Sequence, residues 1–464
     1  MSAAGTNHTP SERRGYLVVV AALLAGCAVY HPAPLPVTPN LAREAPEGVA
    51  PLDMERIATV AVLNSPTLRT ARATFGVAQA QAFAAGLLPD PHFSYTAEHP
   101  YDHVNPPDPR YPEYNTYGLE LDVDLLSLLT HSSVRASARG DLRNAQLQLL
   151  WQEWQTVAEA RTLYVEQSIA GERRDFLAHA RQIYALAAQH SQSAQAAGNA
   201  TLEQTSADLA VLQDVSGRLG DAERSLLTAQ QGLHALLGID PSVTLPLQPL
   251  PPPRLPSRAE VENGVAALAQ RRPDLLALQA GYGAEEQRVR TAILSQFPNV
   301  VIGFTKARDN SNVHSYGGLV NLNLPLFNRG RGQIAVERAT REQLRADYQG
   351  RLDQATSDVW HLWNELQQLQ TQLFSLEQQQ PALRRSVDAA ERAYRAAEFP
   401  AASYYTLVGS YLAAQELHAT LLQNLWTDSV ALATVLGTQV QPNTQSQIPA
   451  ATPAIVRTQP LPSR

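Results

Sequence analysis

The stretch from Leu352 to Ala397, LDQATSDVWHLWNELQQLQTQLFSLEQQQPALRRSVDAAERAYRAA, decides the fold. Leu352, Val359, Leu366 and Leu373 stand seven residues apart. Ala355, Leu362, Leu369, Leu376, Leu383, Ala390 and Ala397 form a second row three residues further on. Alternating steps of three and four put both rows on one helix face, turned toward another helix. Globular helices average about 11 to 12 residues, whereas this row alone runs from 352 to 397. The buried stripe of an ordinary compact domain therefore fails on length. The same pattern recurs upstream, where Leu212, Leu219, Leu226 and Leu233 are paired with Val215, Ala222, Ala229 and Leu236.

Working outward, segments 132–197 and 331–397 hold no proline except Pro381. Each predicts a helix of roughly 100 Å at 1.5 Å per residue. Pro381 is expected to bend its helix without ending it, because the heptad phase passes through it unchanged. Gly198-Asn199 separates 132–197 from 201–238, and both residue types accept the left-handed turn of a tight helical hairpin. The equivalent break is Phe399-Pro400, with Ser403 expected to cap the following helix. Two long hairpins result.

The chain also matches itself. Pro66, Leu68, Ala73, Gly76 and Pro91 fall on Pro273, Leu275, Ala280, Gly283 and Pro298 without a gap. Tyr117-Gly118 and Tyr316-Gly317 each introduce an alternating stretch, and Leu237-Gly238 ends one copy as Leu436-Gly437 ends the other. Three matches in one order predict an internal duplication. The repeats are placed at 52–238 and 258–437, each a helix (52–88, 258–296), two strands and a long hairpin. Residues 239–257, with prolines through Pro249–Pro253, read as an extended linker. Residues 27–51 read as an N-terminal linker, and 438–464, rich in Gln, Pro, Thr and Ser, as a flexible tail.

The strands are expected near 91–97 with 116–126, and near 299–306 with 315–326. Phe93 and Tyr95 alternate with Ser94 and Thr96, and Leu322, Leu324 and Leu326 with Asn323 and Pro325. About ten residues of such alternation suit a membrane barrel stave and equally a half-buried strand in a soluble sheet. Four strands cannot close a lipid-facing barrel, since an open edge leaves backbone groups unpaired in hydrocarbon. Either the sheet is soluble or several chains share one barrel; export and duplication favour the second. The Pro- and Tyr-rich segment 98–115 and the shorter 307–314 then suit loops at the barrel mouth.

Composition removes other classes. The chain has 464 residues, a net charge of -7 and only 17% charged residues, with no basic block to bind nucleic acid. One cysteine excludes a disulfide framework and multi-Cys metal clusters. The only lysine is Lys306, so no phosphate-binding loop with its lysine exists. No Ser, His and Asp sit at a strand-to-helix elbow, and no enzyme or cofactor is expected. His92, His99 and His103, with Asp102 and Asp108, are spaced for no helix face and read as polar loop surface; no metal site is expected. Arg13 and Arg14 followed by the apolar run Tyr16–Ala25 have the layout of an export signal, too short to span a bilayer.

Several motifs carry a family resemblance. Leu24-Ala25-Gly26-Cys27 resembles the bacterial lipobox, which implies a signal peptide over 1–26, cleavage before Cys27 and acylation of that residue. Ala28 in the next position favours the outer membrane. Arg272-Pro273-Asp274-Leu275, the run from Leu322 to Gly330 and the Gly198 tip resemble the TolC-like outer-membrane efflux factors of tripartite RND-type pumps. The resemblance implies a mainly α chain with a membrane β-barrel: a homotrimer with four strands per chain in one 12-stranded barrel, continued by a long coiled-coil α-barrel across the periplasm. The implied function is a passive exit duct in the outer membrane of a Gram-negative bacterium. Its implied partners are a periplasmic adaptor, an inner-membrane RND-type transporter and outer-membrane lipids. The wording from Pro325 to Ile334 is most similar to the heavy-metal cation branch, with small organic compounds as the rival cargo.

The tips Gly198, Asn199, Ala200 and Thr201, and Phe399, Pro400, Ala401 and Ser403, are the implied adaptor-docking residues. Where the family often carries an acidic ring at the aperture, this chain has Tyr405 and Val408, with Glu203 and Glu398 as other candidates. The alternative is a lipid-anchored coiled-coil periplasmic scaffold without a pore.

Overall fold

The computed structural model describes residues 30–44, 51–99, 114–396 and 398–438. Cys27 and the segment 1–26 expected to be its signal, most of the loop 98–115 including Asp102, His103 and Asp108, Ala397, and the tail from 439 lie outside the described residues. The chain divides into two units at Leu41. In the first, residues 30–41 are irregular and exposed.

The second unit runs through one order of elements twice. The first pass is α1 (Met54–Asn64), α2 (Pro66–Ala84), β1 (His92–Glu98), β2 (Thr116–Asp124), α3 (Leu125–Ala196) and α4 (Leu202–Leu237). The second is α5 (Arg258–Arg271), α6 (Pro273–Leu294), β3 (Asn299–Arg308), β4 (His314–Asn323), α7 (Arg331–Arg395) and α8 (Ala401–Leu436). Each pass ends on a glycine in the left-handed conformation, Gly238 at φ 62° and Gly437 at φ 71°, which closes the last helical turn.

The structure corrects the single helices expected at 52–88 and 258–296. Each is two, broken before Pro66 and before Pro273. A residue preceding proline is driven out of the α region, and Ser65 (ψ 127°) and Arg272 (ψ 122°) both sit there. The two corners are held by different chemistry at matched positions. Ser65 and Thr67 share a 2.7 Å hydroxyl hydrogen bond. Their counterparts form a buried fork, in which Arg272 donates to both oxygens of Asp274 at 2.9 and 2.6 Å. Arg351 of α7 adds a third hydrogen bond at 2.9 Å, and the Arg272 guanidinium lies 5.1 Å from the centre of the Trp151 ring. Burial alone would push the Asp274 carboxyl up, but the two arginines outweigh it and hold it below the usual carboxylate range.

Two strand ends also fall short of expectation. The Asp124 side chain accepts from the Leu126 and Ser127 amides at 2.8 and 3.1 Å, so β2 stops there and α3 starts at Leu125, well before 132. β4 ends at Asn323, before Pro325 can offer no donor to the ladder. α3 then runs for 72 residues, about 108 Å. α7 runs for 65 residues and continues through Pro381. No described helix is long and apolar enough to cross a membrane.

The heptad rows are the packed faces. Val215, Ala222, Ala229, Leu233 and Leu236 are buried on α4, as are Ala355, Val359, Leu366, Leu369, Leu373 and Ala390 on α7. α3 packs against its own partner α4 and also against α8, where Val165 and Ile169 meet Ala419, Trp426 and Val430. The segment after α4 is packed: Ile239 and Leu245 join the core around Tyr164. Parallel bridges tie it to Ala42 and Leu52.

The four strands form one antiparallel sheet in the order β1-β2-β3-β4, so β1 and β4 are its edges.

Candidate functional site

Both hairpin tips turn within a few residues. At the first, Gly198 takes φ 76°, and the Asn199 amide reaches back to the Ala194 carbonyl at 2.7 Å. A side chain on Gly198 would meet open space but a strained backbone. Thr201 caps α4 by accepting from the Gln204 amide at 3.2 Å. Just inside, buried Thr205 and Ser191 join the two arms. At the second tip, the expected Ser403 cap is not used. Pro400 itself is the capping residue, extended at ψ 134°, and its carbonyl receives the Tyr404 amide at 3.1 Å, so α8 starts at Ala401 and Ser403 lies exposed in the first turn.

Behind the second tip, four tyrosines from three helices converge. Tyr394 and Tyr404 stack with centroids 5.0 Å apart, and Tyr405 lies within 6.0 Å of Tyr184 on α3. The Tyr405 hydroxyl pairs with that of Tyr394 at 3.3 Å, while the Tyr184 hydroxyl donates to the Tyr405 carbonyl at 3.1 Å. Burial, then nearby Glu391, pushes the Tyr404 phenol up to about 12. Burial and the Tyr394 hydrogen bond raise Tyr405 as well, so the Tyr404 and Tyr405 phenols stay protonated at physiological pH.

The sheet separates charge by face. Directly paired residues of neighbouring strands share a face, and the register assigns each side chain. One face carries Glu98, Glu120, Asp122 and Asp124, with His92 lying 3.3 Å from Asp122. The other carries Phe93, Tyr95, Leu119, Leu121, Ile302, Phe304, Val320 and Leu322, together with Lys306 and Arg308. Among the described residues nothing covers that apolar face: Phe304 is 78% exposed, and Phe93, Tyr95 and Val320 each more than 60%.

Residues 265–438 match the outer membrane efflux protein family. The chain resembles the outer membrane efflux proteins. Solved structures share the fold. CusC, whose structures describe transmembrane channel formation, is 15% identical; the match covers 89% of this chain and all of that one at a TM-score of 0.69. VceC, an outer membrane protein of Vibrio cholerae, is 21% identical, with 83% and 96% covered and a TM-score of 0.66. The CmeC outer membrane channel of Campylobacter jejuni is 13% identical, with 84% and 86% covered and a TM-score of 0.70. At these identities the likeness is one of fold. No curated protein matches the chain.

On this efflux-protein fold, the sequence-derived candidates divide. Tyr405 and Val408 come together in one cluster, where Val408 is 5% exposed among Leu177, Tyr184, Val215 and Leu412. That gives Val408 a packing role within its own chain. Glu203 and Glu398 are exposed, as are Asn199 and Thr201. Phe399 is half-buried against the tyrosines, so the second tip is anchored. Tyr184, Tyr394, Arg218 and Glu416 were not among the candidates; the one signal was the Tyr404-Tyr405 pair lying one helical break beyond Tyr394.

Proposed function

We propose that the chain is the outer-membrane channel-tunnel of a tripartite efflux system. It is a passive exit duct, not an enzyme, for substrates delivered by an inner-membrane RND-type pump through a periplasmic adaptor. Three copies join their four-stranded sheets in one 12-stranded barrel, and the hairpins of the duplicated repeats continue it as an α-barrel. Cys27 anchors each copy by lipid, and the tips around Gly198 and Pro400 meet the adaptor.

The observation that carries this reading is the sheet: among the described residues it has two edges without a partner strand and an exposed apolar face opposite an acidic one. Such a sheet is stable only when its edges find strands in other chains and its apolar face finds lipid or protein. The acidic face, turned inward, favours cations along the duct and is compatible with heavy-metal cations as cargo, with small organic compounds as the rival.

Reconstitution tests it. Heat-modifiable trimers with β signal in detergent and conductance in planar bilayers are expected. Monomers without conductance would leave the lipid-anchored scaffold. Cross-linkers at Asn199 and Ala401 are expected to capture the adaptor, and one at Asn310, between β3 and β4, is not. Equal capture from all three would overturn the orientation.

A further inference from the structure

The apolar face of the sheet is ordered in rows. Nearest the loops, Tyr117, Arg308 and His314 stand side by side. The next row is Tyr95, Leu119, Lys306 and Tyr316, and the rows beyond it hold no charged residue: Phe93, Leu121, Phe304 and Gly318, then Val123, Ile302 and Val320. Between the second and third rows lies a groove of about 490 Å³ lined by Phe93, Leu119, Leu121, Phe304, Tyr316 and Lys306, and by Glu120, whose register puts its side chain on the opposite face. Tyrosine at the edge of an apolar band marks the level where hydrocarbon meets headgroups.

The two cations sit on the wrong face for a duct. Every acidic residue of the strands is on the opposite side, and Lys306 is exposed with no ion-pair partner among the described residues. Arg308 is held by the Asn115 carbonyl at 2.8 Å and by the rings of Tyr114 and Tyr117, and has no carboxylate partner among the described residues. The neighbouring Asp309 is committed to the loop, where it accepts from the Ser311 and Val313 amides. Residues two apart on a strand are about 7 Å apart, so Lys306 and Arg308 present two positive charges above one apolar groove.

We propose that Lys306 and Arg308 bind the phosphate of a phosphorylated membrane lipid whose acyl chain lies in the groove beside Leu121 and Phe304. This rests on the channel reading above, which puts this face against the bilayer and the loops at its outer surface. A zwitterionic headgroup carries its own ammonium and gains little from two more cations. A phosphomonoester brings up to two negative charges and several acceptors, matching both.

The lone lysine makes the test direct. Trimers are placed in nanodiscs of phosphatidylcholine, with or without lipid A, and acylation of Lys306 by an amine reagent is followed by peptide mass spectrometry. Lipid A is expected to slow acylation about fivefold, and dephosphorylated lipid A to leave it unchanged. The Lys306→Gln, Arg308→Gln variant is expected to retain lipid A more weakly by about fivefold per cation removed. A photoreactive acyl chain reports Phe304 independently. Phe304 labelled, with Lys306 acylated equally in all discs, overturns the lipid site and leaves the channel. Protection of Lys306 by inorganic phosphate in plain phosphatidylcholine discs would also overturn it, assigning a free-anion site. Phe304 unlabelled in every disc overturns the channel reading and the lipid site together.

Discussion

Arg218 on α4 and Glu416 on α8 form a two-pronged ion pair, with the arginine Nε 3.1 Å from one carboxylate oxygen. It joins the return helices of the two hairpins, which belong to different passes of the chain. Arg218 also reaches Asp214 on its own helix, so one guanidinium ties three points together. The pair is about two-thirds shielded from solvent, which puts it above an ordinary surface bridge.

That pair is expected to restrain the hairpins. A double-mutant cycle with Arg218→Ala and Glu416→Ala should give a coupling of about 1 kcal/mol, read from denaturation of the trimer. Resting conductance of both single variants should rise above wild type. A coupling near zero would show that the two return helices move independently.

Val408 is expected to act through packing. Val408→Ala should lower the unfolding midpoint, at a cost of about 2 kcal/mol, and leave resting conductance unchanged. Tyr405→Phe should act differently, since it removes the hydroxyl that meets Tyr394 while keeping the ring. Higher conductance from Val408→Ala would put that side chain in the pore.

Asp428 on α8 sets a pH dependence. Burial, then the neighbouring Glu365, raises its carboxyl to about 6, partly offset by His361. Between about 4 and 6 the folded chain therefore binds more protons than the unfolded chain, and stability falls as pH rises through that window. Asp428→Asn should flatten the slope and raise the melting temperature at pH 7 relative to wild type. A wild-type melting temperature that climbs from pH 4 to 6, with the same profile in the variant, would contradict the assignment.

Cys27→Ser should leave the precursor uncleaved by the lipoprotein-specific peptidase and without acyl chains, as read by intact mass. A native N-terminus anywhere but Cys27 would refute the anchor. Barrel insertion is expected to survive, because strand closure stabilises it separately.

What could be read from the sequence was whatever repeats along one helix or strand. The rows on α4 and α7 named their buried residues because heptad spacing is local, and the alternation read at Phe93 and Tyr95 of β1 and at Leu322 of β4 named the apolar face for the same reason. The corners at Ser65 and Arg272 were misread as helix interior, although Pro66 and Pro273 were the very residues that aligned the repeats. The ring cluster was out of reach. Tyr184 and Tyr405 are 221 positions apart and meet only because α3 packs on α8. Arg218 and Glu416 were likewise ordinary surface charges until the hairpins were set side by side.

The open margins of the sheet govern the life of the chain before assembly. Among the described residues β1 and β4 each present a row of backbone donors and acceptors with no partner strand, next to a surface on which Phe93, Phe304 and Tyr316 are bare. A lone copy in transit is thus adhesive toward any extended strand it meets, its siblings included. The proposed trimer and tangled aggregates would draw on the same bonds. Which one forms is a race that depends on copy number and escort, so overproduction should raise insoluble material faster than it raises assembled duct.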